Sequence, residues 1–193
     1  MAESGGEASW YDNLDGFLDH AWKLVVRGAA DRRSPFHVPT LVTLGIDGAP
    51  RARSVVLRKA AATSLRFHSD ARAGKIAEVQ AEPRVAVHFY AKEQKLQVRA
   101  TGAASVHCGD DPIAREAWAE TRSFSRTCYR VTPPAGSPIT AGGAYDQPGG
   151  GDDGRDNFAV IECAIDGYEV LYLAAAGHRR ARLRQGVPTW LVP

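Results

Sequence analysis

Arg51, Arg53, Ser54 and Arg58 fall in the run Arg51-Ala52-Arg53-Ser54-Val55-Val56-Leu57-Arg58, followed by Phe67-His68-Ser69-Asp70, then Lys75, then Leu96-Gln97-Val98-Arg99. Cationic and hydroxyl groups thus recur on what read as successive strands and at the mouth of one helix. Such a set suits the binding of a phosphorylated cofactor. Lys75 falls in the first turn of the predicted helix, where a cation opposes the helix dipole unless an anion lies nearby. A phosphate at that helix start would meet free backbone N–H groups, the Ser69 hydroxyl and the Lys75 ammonium together. Taken singly, each residue has a plainer reading: the arginines as a solvated edge strand, Lys75 as a side chain reaching into water.

The elements that must position these groups follow from periodicity. Over residues 10–26, Leu14, Phe17, Leu18, Ala21, Trp22 and Val25 recur at three- and four-residue steps, which predicts an amphipathic helix stopped near Gly28. Residues 40–46 and 50–57 flank Asp47-Gly48 and read as a β-hairpin, with a third strand at 64–69. Asp70 is placed to cap a short helix over 73–80, bounded by Pro83; strands at 84–90 and 95–106 follow. A second helix is predicted at 112–121, and strands at 157–165, 169–173 and 178–184 lead to Trp190-Leu191-Val192. Residues 133–156 are crowded with Gly, Pro, Ser and Asp and read as a long flexible loop. Antiparallel strands with few helices predict a mainly β fold, a small β-barrel with flanking helices.

Alternation along a strand puts Arg51, Arg53 and Val55 on one face and Ser54, Val56 and Arg58 on the other, so both faces carry cations. Gln97 shares a polar face with Arg99 and Thr101. A neutral amide both donates and accepts, which suits the edge of a flavin ring, whose carbonyls accept and whose N3–H donates. Near the end, His178, Arg180, Arg182 and Arg184 share a strand face and repel one another unless an anion or acidic group offsets them. The alternative is an exposed basic edge that blocks aggregation.

At 193 residues with 44% hydrophobic content, the chain can bury one full core, and we expect a single domain over 10–193 behind a disordered tail at 1–9. The net charge of +2 spread along the chain argues against a general nucleic-acid footprint. The three cysteines, Cys108, Cys128 and Cys163, lack zinc or disulfide spacing. With no apolar run near the ~20 residues of a membrane span and no basic, apolar leader, a cytoplasmic protein is expected. No catalytic triad, metal cluster or Rossmann fingerprint is found, and the Gly149-Gly150-Gly151 run reads as loop.

Arg53-Ser54-Val55-Val56-Leu57-Arg58, Phe67-His68-Ser69-Asp70, Lys75, Gln97-Val98-Arg99-Ala100-Thr101-Gly102 and Arg180-Ala181-Arg182 together resemble the pyridoxamine 5′-phosphate oxidase-like proteins, over about 22–193. The chain is most similar to their oxidase-related FMN-binding branch. The resemblance implies an FMN-binding split β-barrel, with FMN held at a homodimer interface. It puts Arg53, Ser69 and Lys75 on the FMN phosphate, with Ser54, Val55, Val56, Arg58 and His68 alongside the cofactor. Gln97 falls at the isoalloxazine ring, and Tyr172 and Arg182 reach it from a second subunit. Arg72 stands near a family arginine whose own place Gly74 takes. Arg58, His178 and Arg180 occupy substrate positions, where the true oxidases have a lysine and then an arginine and a histidine in the opposite order. Arg122, Ser125 and Arg126 lie in the region of the substrate-phosphate residues.

The expectation is an FMN-dependent oxidoreductase acting on an unidentified small molecule, with no side chain acting as nucleophile. A genuine pyridoxamine 5′-phosphate oxidase and a non-catalytic flavin-binding or sensing module are the alternatives. Related barrels also hold haem or a deazaflavin.

Overall fold

The computed structural model describes residues 10–147, 154–175 and 177–193; the expected tail at 1–9 and the Gly149-Gly150-Gly151 run lie outside the described residues. Helix α1 (Leu14–Ala30) starts at Asn13, whose side chain accepts from the Gly16 N–H at 2.8 Å, and it buries Phe17, Leu18, Ala21, Trp22 and Val25. It begins later than expected and runs through Gly28. A Cβ there would lie 2.8 Å from the Phe36 carbonyl, so Gly28 allows the returning chain to pack against the helix rather than ending it.

Strands β1 (Thr40–Leu44) and β2 (Pro50–Ser54) form the expected hairpin, with Gly48 at φ 78° in its turn. The strand expected over 50–57 is instead two. β2 ends at Ser54, and β3 (Leu57–Ala60) pairs with β4 (Ser64–Asp70). Along the nine-stranded sheet of described residues the order is β2-β1-β5-β6-β7-β4-β3, so β2 and β3 stand at opposite ends of that path. Only Val55 and Val56 join them, a reach of about 11 Å at most. The sheet must therefore curl until its two ends meet.

After β4, helix α2 (Gly74–Ala81) has no side-chain cap at its N-terminus. Asp70 does not supply the expected one, because its carboxylate is held by Arg72. β5 (Arg84–Ala91) and β6 (Leu96–Cys108) follow, then α3 (Pro112–Glu120), capped by Asp111, and α4 (Ser123–Arg126), which periodicity did not reveal. Within the loop expected over 133–156, Asp146 pairs back to Thr132. β7 (Phe158–Tyr172) joins the two strands expected at 157–165 and 169–173 into one. β8 (Arg179–Arg184) and β9 (Val187–Leu191) extend the sheet from β7.

β6 and β7 pair along their length with a register shift at Thr101/Gly102. A Cβ on Gly102 would lie in hard overlap, 1.9 Å from the Ala164 carbonyl oxygen. Gly102→Ala is therefore expected to force the two longest strands apart and cost about 2 kcal/mol or more, read as a lowered urea midpoint.

Every strand named so far is antiparallel to its partners. The inward positions Leu41, Val87, Phe89, Val98, Val170 and Ala181 form the main core, and α1 closes over it. Trp22 stacks on Tyr168 at 4.6 Å and its Nε1 donates to the Ala61 carbonyl. A second, smaller core of Ala117, Trp118, Tyr129, Phe158 and Val160 seats α3 outside the sheet. These two cores set the two sides of β4 on which the candidate site is built.

Candidate functional site

On the inward side of β4, Ser69 is buried, and Lys75 Nζ donates to its Oγ at 3.1 Å from the first turn of α2. Nearby, Arg53 pairs with Glu78 (Nη2 to Oε2, 2.6 Å) and donates to Thr43 Oγ1, which in turn donates to Glu78. Burial first, and then the charge of Arg53, push the Lys75 pKa down, against Asp70 and Glu78, which raise it. Two cations therefore crowd the uncapped start of a helix whose N–H groups also carry positive charge. An anion placed there would relieve all three. Arg53, Ser69 and Lys75 are brought together as the sequence expected.

Thr43 and Glu78 belong to the same cluster and were not anticipated. Glu78 carries the one available signal, since it lies three residues after Lys75 and hence on the same helix face.

Arg72 is differently employed. Its guanidinium meets both oxygens of Asp70, at 2.9 and 2.6 Å, and donates to the Val131 carbonyl at 3.0 Å. Asn157 donates to the carbonyl of neighbouring Tyr129 at 2.8 Å. Arg72 thus fastens the β4–α2 turn to the segment after α4, with its planar fork already filled.

The outward side of β4 faces a cavity of about 220 Å³ between the end of α1, β3 and α3, lined among others by Arg58, His68, Arg122 and Ser125. His68 is on the opposite side of β4 from Ser69 by strand alternation, and the break between β2 and β3 brings Arg58 to that side. Arg126 does not line it; its guanidinium stacks on Trp118 at 4.6 Å and donates to the Trp118 and Thr121 carbonyls. His68 is pushed down to about 4, chiefly by burial and then by the Arg58 charge. Ser54 is exposed at the end of β2, Val55 is buried, and Val56 is half-buried between the two strands.

Gln97, Arg182 and Arg180 lie on the outer sheet face of β6 to β8, where Gln97 opposes Leu171 and Arg182 opposes Glu169. Glu169 offsets the expected repulsion. It takes Arg180 at 2.5 Å and Arg99 at 3.1 Å, while the buried Arg182 Nε has no partner among the described residues. Tyr172 packs against Trp10 and Tyr11 at the end of β7, and Arg179 pairs with Asp12 beside them. His178 is exposed. None of these groups shares a hydrogen bond or ion pair with Arg53, Ser69 or Lys75 among the described residues.

Residues 19–108 match the family of the pyridoxamine 5′-phosphate oxidase, FMN-binding domain. No curated protein matches the chain. Among solved structures, a pyridoxamine 5′-phosphate oxidase-related, FMN-binding protein from Nostoc punctiforme PCC 73102 is similar at a TM-score of 0.74 and 20% identity, covering 97% of this chain and all of that one. PhzG from Burkholderia lata 383, in complex with tetrahydrophenazine-1-carboxylic acid, is similar at a TM-score of 0.68 and 15% identity over the full length of both. General stress protein 26 from Bacillus anthracis str. Sterne follows at 0.52 and 14%, covering 90% of this chain and 98% of that one. At these identities the structures speak for the fold, the mainly antiparallel split barrel with flanking helices that the strand order describes. Residues 19–108 are thus similar to the FMN-binding domain of pyridoxamine 5′-phosphate oxidase, and the chain shares the split-barrel fold of these structures along its length.

Proposed function

We propose that the chain binds FMN and is an FMN-dependent oxidoreductase acting on an unidentified small molecule. The observation that carries this reading is the meeting of Lys75 and Ser69 at the uncapped N-terminus of α2, with Arg53 beside them. These groups fit the FMN phosphate: a hydroxyl, an ammonium, a guanidinium shared with Glu78 and free N–H groups converge there. Ser54, Val55 and Val56 run alongside the cofactor, and Gln97 offers its amide to the ring.

A homodimer completes the proposal. Tyr172 and Arg182 of one copy would reach the flavin of the other, consistent with an Arg182 Nε that finds no partner among the described residues. When bound, FMN supplies the hydride acceptor. The protein's part is to orient the substrate, exclude water and provide a positive field that favours the reduced, anionic ring. Arg58, Arg122 and Ser125, which line the cavity outside β4, would hold an anionic substrate there.

Vitamin B6 oxidation is the weaker assignment. Arg180, one of the two residues at the vitamin-orienting positions, is held by Glu169 through both Nε and Nη2, at 2.9 and 2.5 Å. The test is the visible spectrum of the purified protein before and after adding FMN or riboflavin, with any released cofactor identified by mass. A flavin spectrum and a preference of about a hundredfold for FMN over riboflavin are expected, since the phosphate makes several charge-assisted bonds. A colourless protein indifferent to FMN would overturn the reading.

A further inference from the structure

The cavity outside β4 is lined by two histidines, His37, whose Nδ1 lies 2.7 Å from the Gly28 carbonyl oxygen, and His68. Arg58 from β3, Arg122 before α4 and Arg32 after α1 line it, and their guanidinium groups make no ion pair among the described residues. The other cations at its wall are already neutralised, Lys59 by Glu116 and Arg66 by Glu162, and Glu120 is the remaining carboxylate. His68 lies among these charges, its ring set edge-on against Phe158 at 4.9 Å.

The hydrogen bonding of His68 determines which of its nitrogens carries the proton. Thr121 Oγ1 lies 3.5 Å from His68 Nδ1. The single hydroxyl proton of Thr121 is given to the Ala117 carbonyl at 2.7 Å. Towards His68, Thr121 can therefore only accept, so Nδ1 carries the hydrogen and Nε2 carries the lone pair. No protein group among the described residues partners Nε2. Burial and the Arg58 charge hold the ring neutral, which keeps that lone pair available at neutral pH.

We propose that His68 determines the specificity of this cavity: its Nε2 accepts a hydrogen bond from an O–H or N–H donor carried by a small anion, whose charge Arg58, Arg122 and Arg32 hold. The inference rests on the reading of this cavity as the place where the substrate binds. The guanidinium groups can only donate, so they cannot distinguish one anion from another by its donors; a neutral acceptor beside them can. An anion without the donor, or with an acceptor in its place, would meet an unpaired lone pair.

The experiment compares matched probes on the full chain by calorimetry: glycerol 3-phosphate against n-propyl phosphate, and 3-hydroxybenzoate against benzoate. The pair that binds tells whether a phosphate or a carboxylate is the anion. Within that pair the hydroxylated probe is expected to bind about tenfold tighter, the worth of one hydrogen bond to a neutral acceptor. His68→Phe should bind both members alike, at the level of the hydroxyl-free probe. His68→Gln, whose amide oxygen can accept, should recover part of the preference. In the unaltered protein, nitrogen NMR should find the neutral Nδ1–H form at pH 7, with the Nε2 signal shifting on addition of the hydroxylated probe.

Equal affinities within both pairs, a preference that survives in His68→Phe, binding of none of the four probes, or an imidazolium at pH 7 would each overturn the proposal. Flavin content measured on the same preparations separates its failure from that of the FMN reading. Protein that holds FMN but lacks the preference refutes only the role of His68, whereas a flavin-free protein with the preference upholds that role and removes the flavin.

Discussion

Protein carrying both Arg53→Ala and Lys75→Ala is expected to purify folded and without flavin. Each side chain contributes a charge-assisted bond to the phosphate, worth about 1.5–3 kcal/mol, so the pair should lower FMN affinity by about a thousandfold or more. Lys75 gives the cleaner single variant. Burial and Arg53 already disfavour its charge in the folded chain, so Lys75→Met removes an unfavourable cation and should leave thermal stability unchanged or raised. Arg53→Ala is less clean, because it leaves the Glu78 carboxylate with Thr43 as its hydrogen-bond partner among the described residues. Adding Glu78→Gln to Arg53→Ala should restore stability without restoring flavin. Unchanged flavin occupancy in the Arg53, Lys75 double variant, with circular dichroism reporting an intact fold, would refute the phosphate assignment.

Arg72→Ala separates stability from binding in the opposite sense. Asp70 is only 10% exposed at its side chain, and its two oxygens are both taken by the Arg72 fork, which also holds the Val131 carbonyl. Removing the guanidinium leaves the Asp70 carboxylate with the backbone N–H of residue 72 as its donor and takes the Arg72 donor from the Val131 carbonyl, for a loss of about 2–3 kcal/mol. The unfolding midpoint should fall by several degrees, whereas FMN affinity per folded molecule should change less than tenfold. Lys is not expected to substitute, since a point charge cannot bridge two carboxylate oxygens and a carbonyl in one plane. A variant of normal stability that had lost FMN would instead place Arg72 on the cofactor.

The central block shows what could be read directly. Arg53, Ser69 and Lys75 were legible because each sits in an element with strong local signals: the Asp47-Gly48 turn, the alternation of β4, and the short helix bounded by Pro83. Glu78 escaped, although its spacing from Lys75 put it on the right helix face. A carboxylate beside a predicted anion site runs against the electrostatic argument, and only the contact with Arg53 and Thr43 explains its place. Asp70 had the type and position of a cap, but a nearby guanidinium outcompeted the helix N–H groups for it. β7 was read as two strands because the Asp166-Gly167 pair mimics a turn; pairing with both β6 and β8 carries the strand through it.

Residue type and local period alone determined that the chain is mainly β, that its longest helix is amphipathic, and that cations and a hydroxyl gather around residues 51–75. Those are properties of neighbours in sequence, set by strand alternation, helical spacing and turn residues. The tertiary structure alone decided which groups from other elements join each side of β4. The split at Val55-Val56 sends Arg53 to one end of the sheet path and Arg58 to the other, and curling of the sheet brings those ends back together. The choice of partner strand is a long-range event, governed by which apolar faces can be buried at once, and no window of sequence contains it.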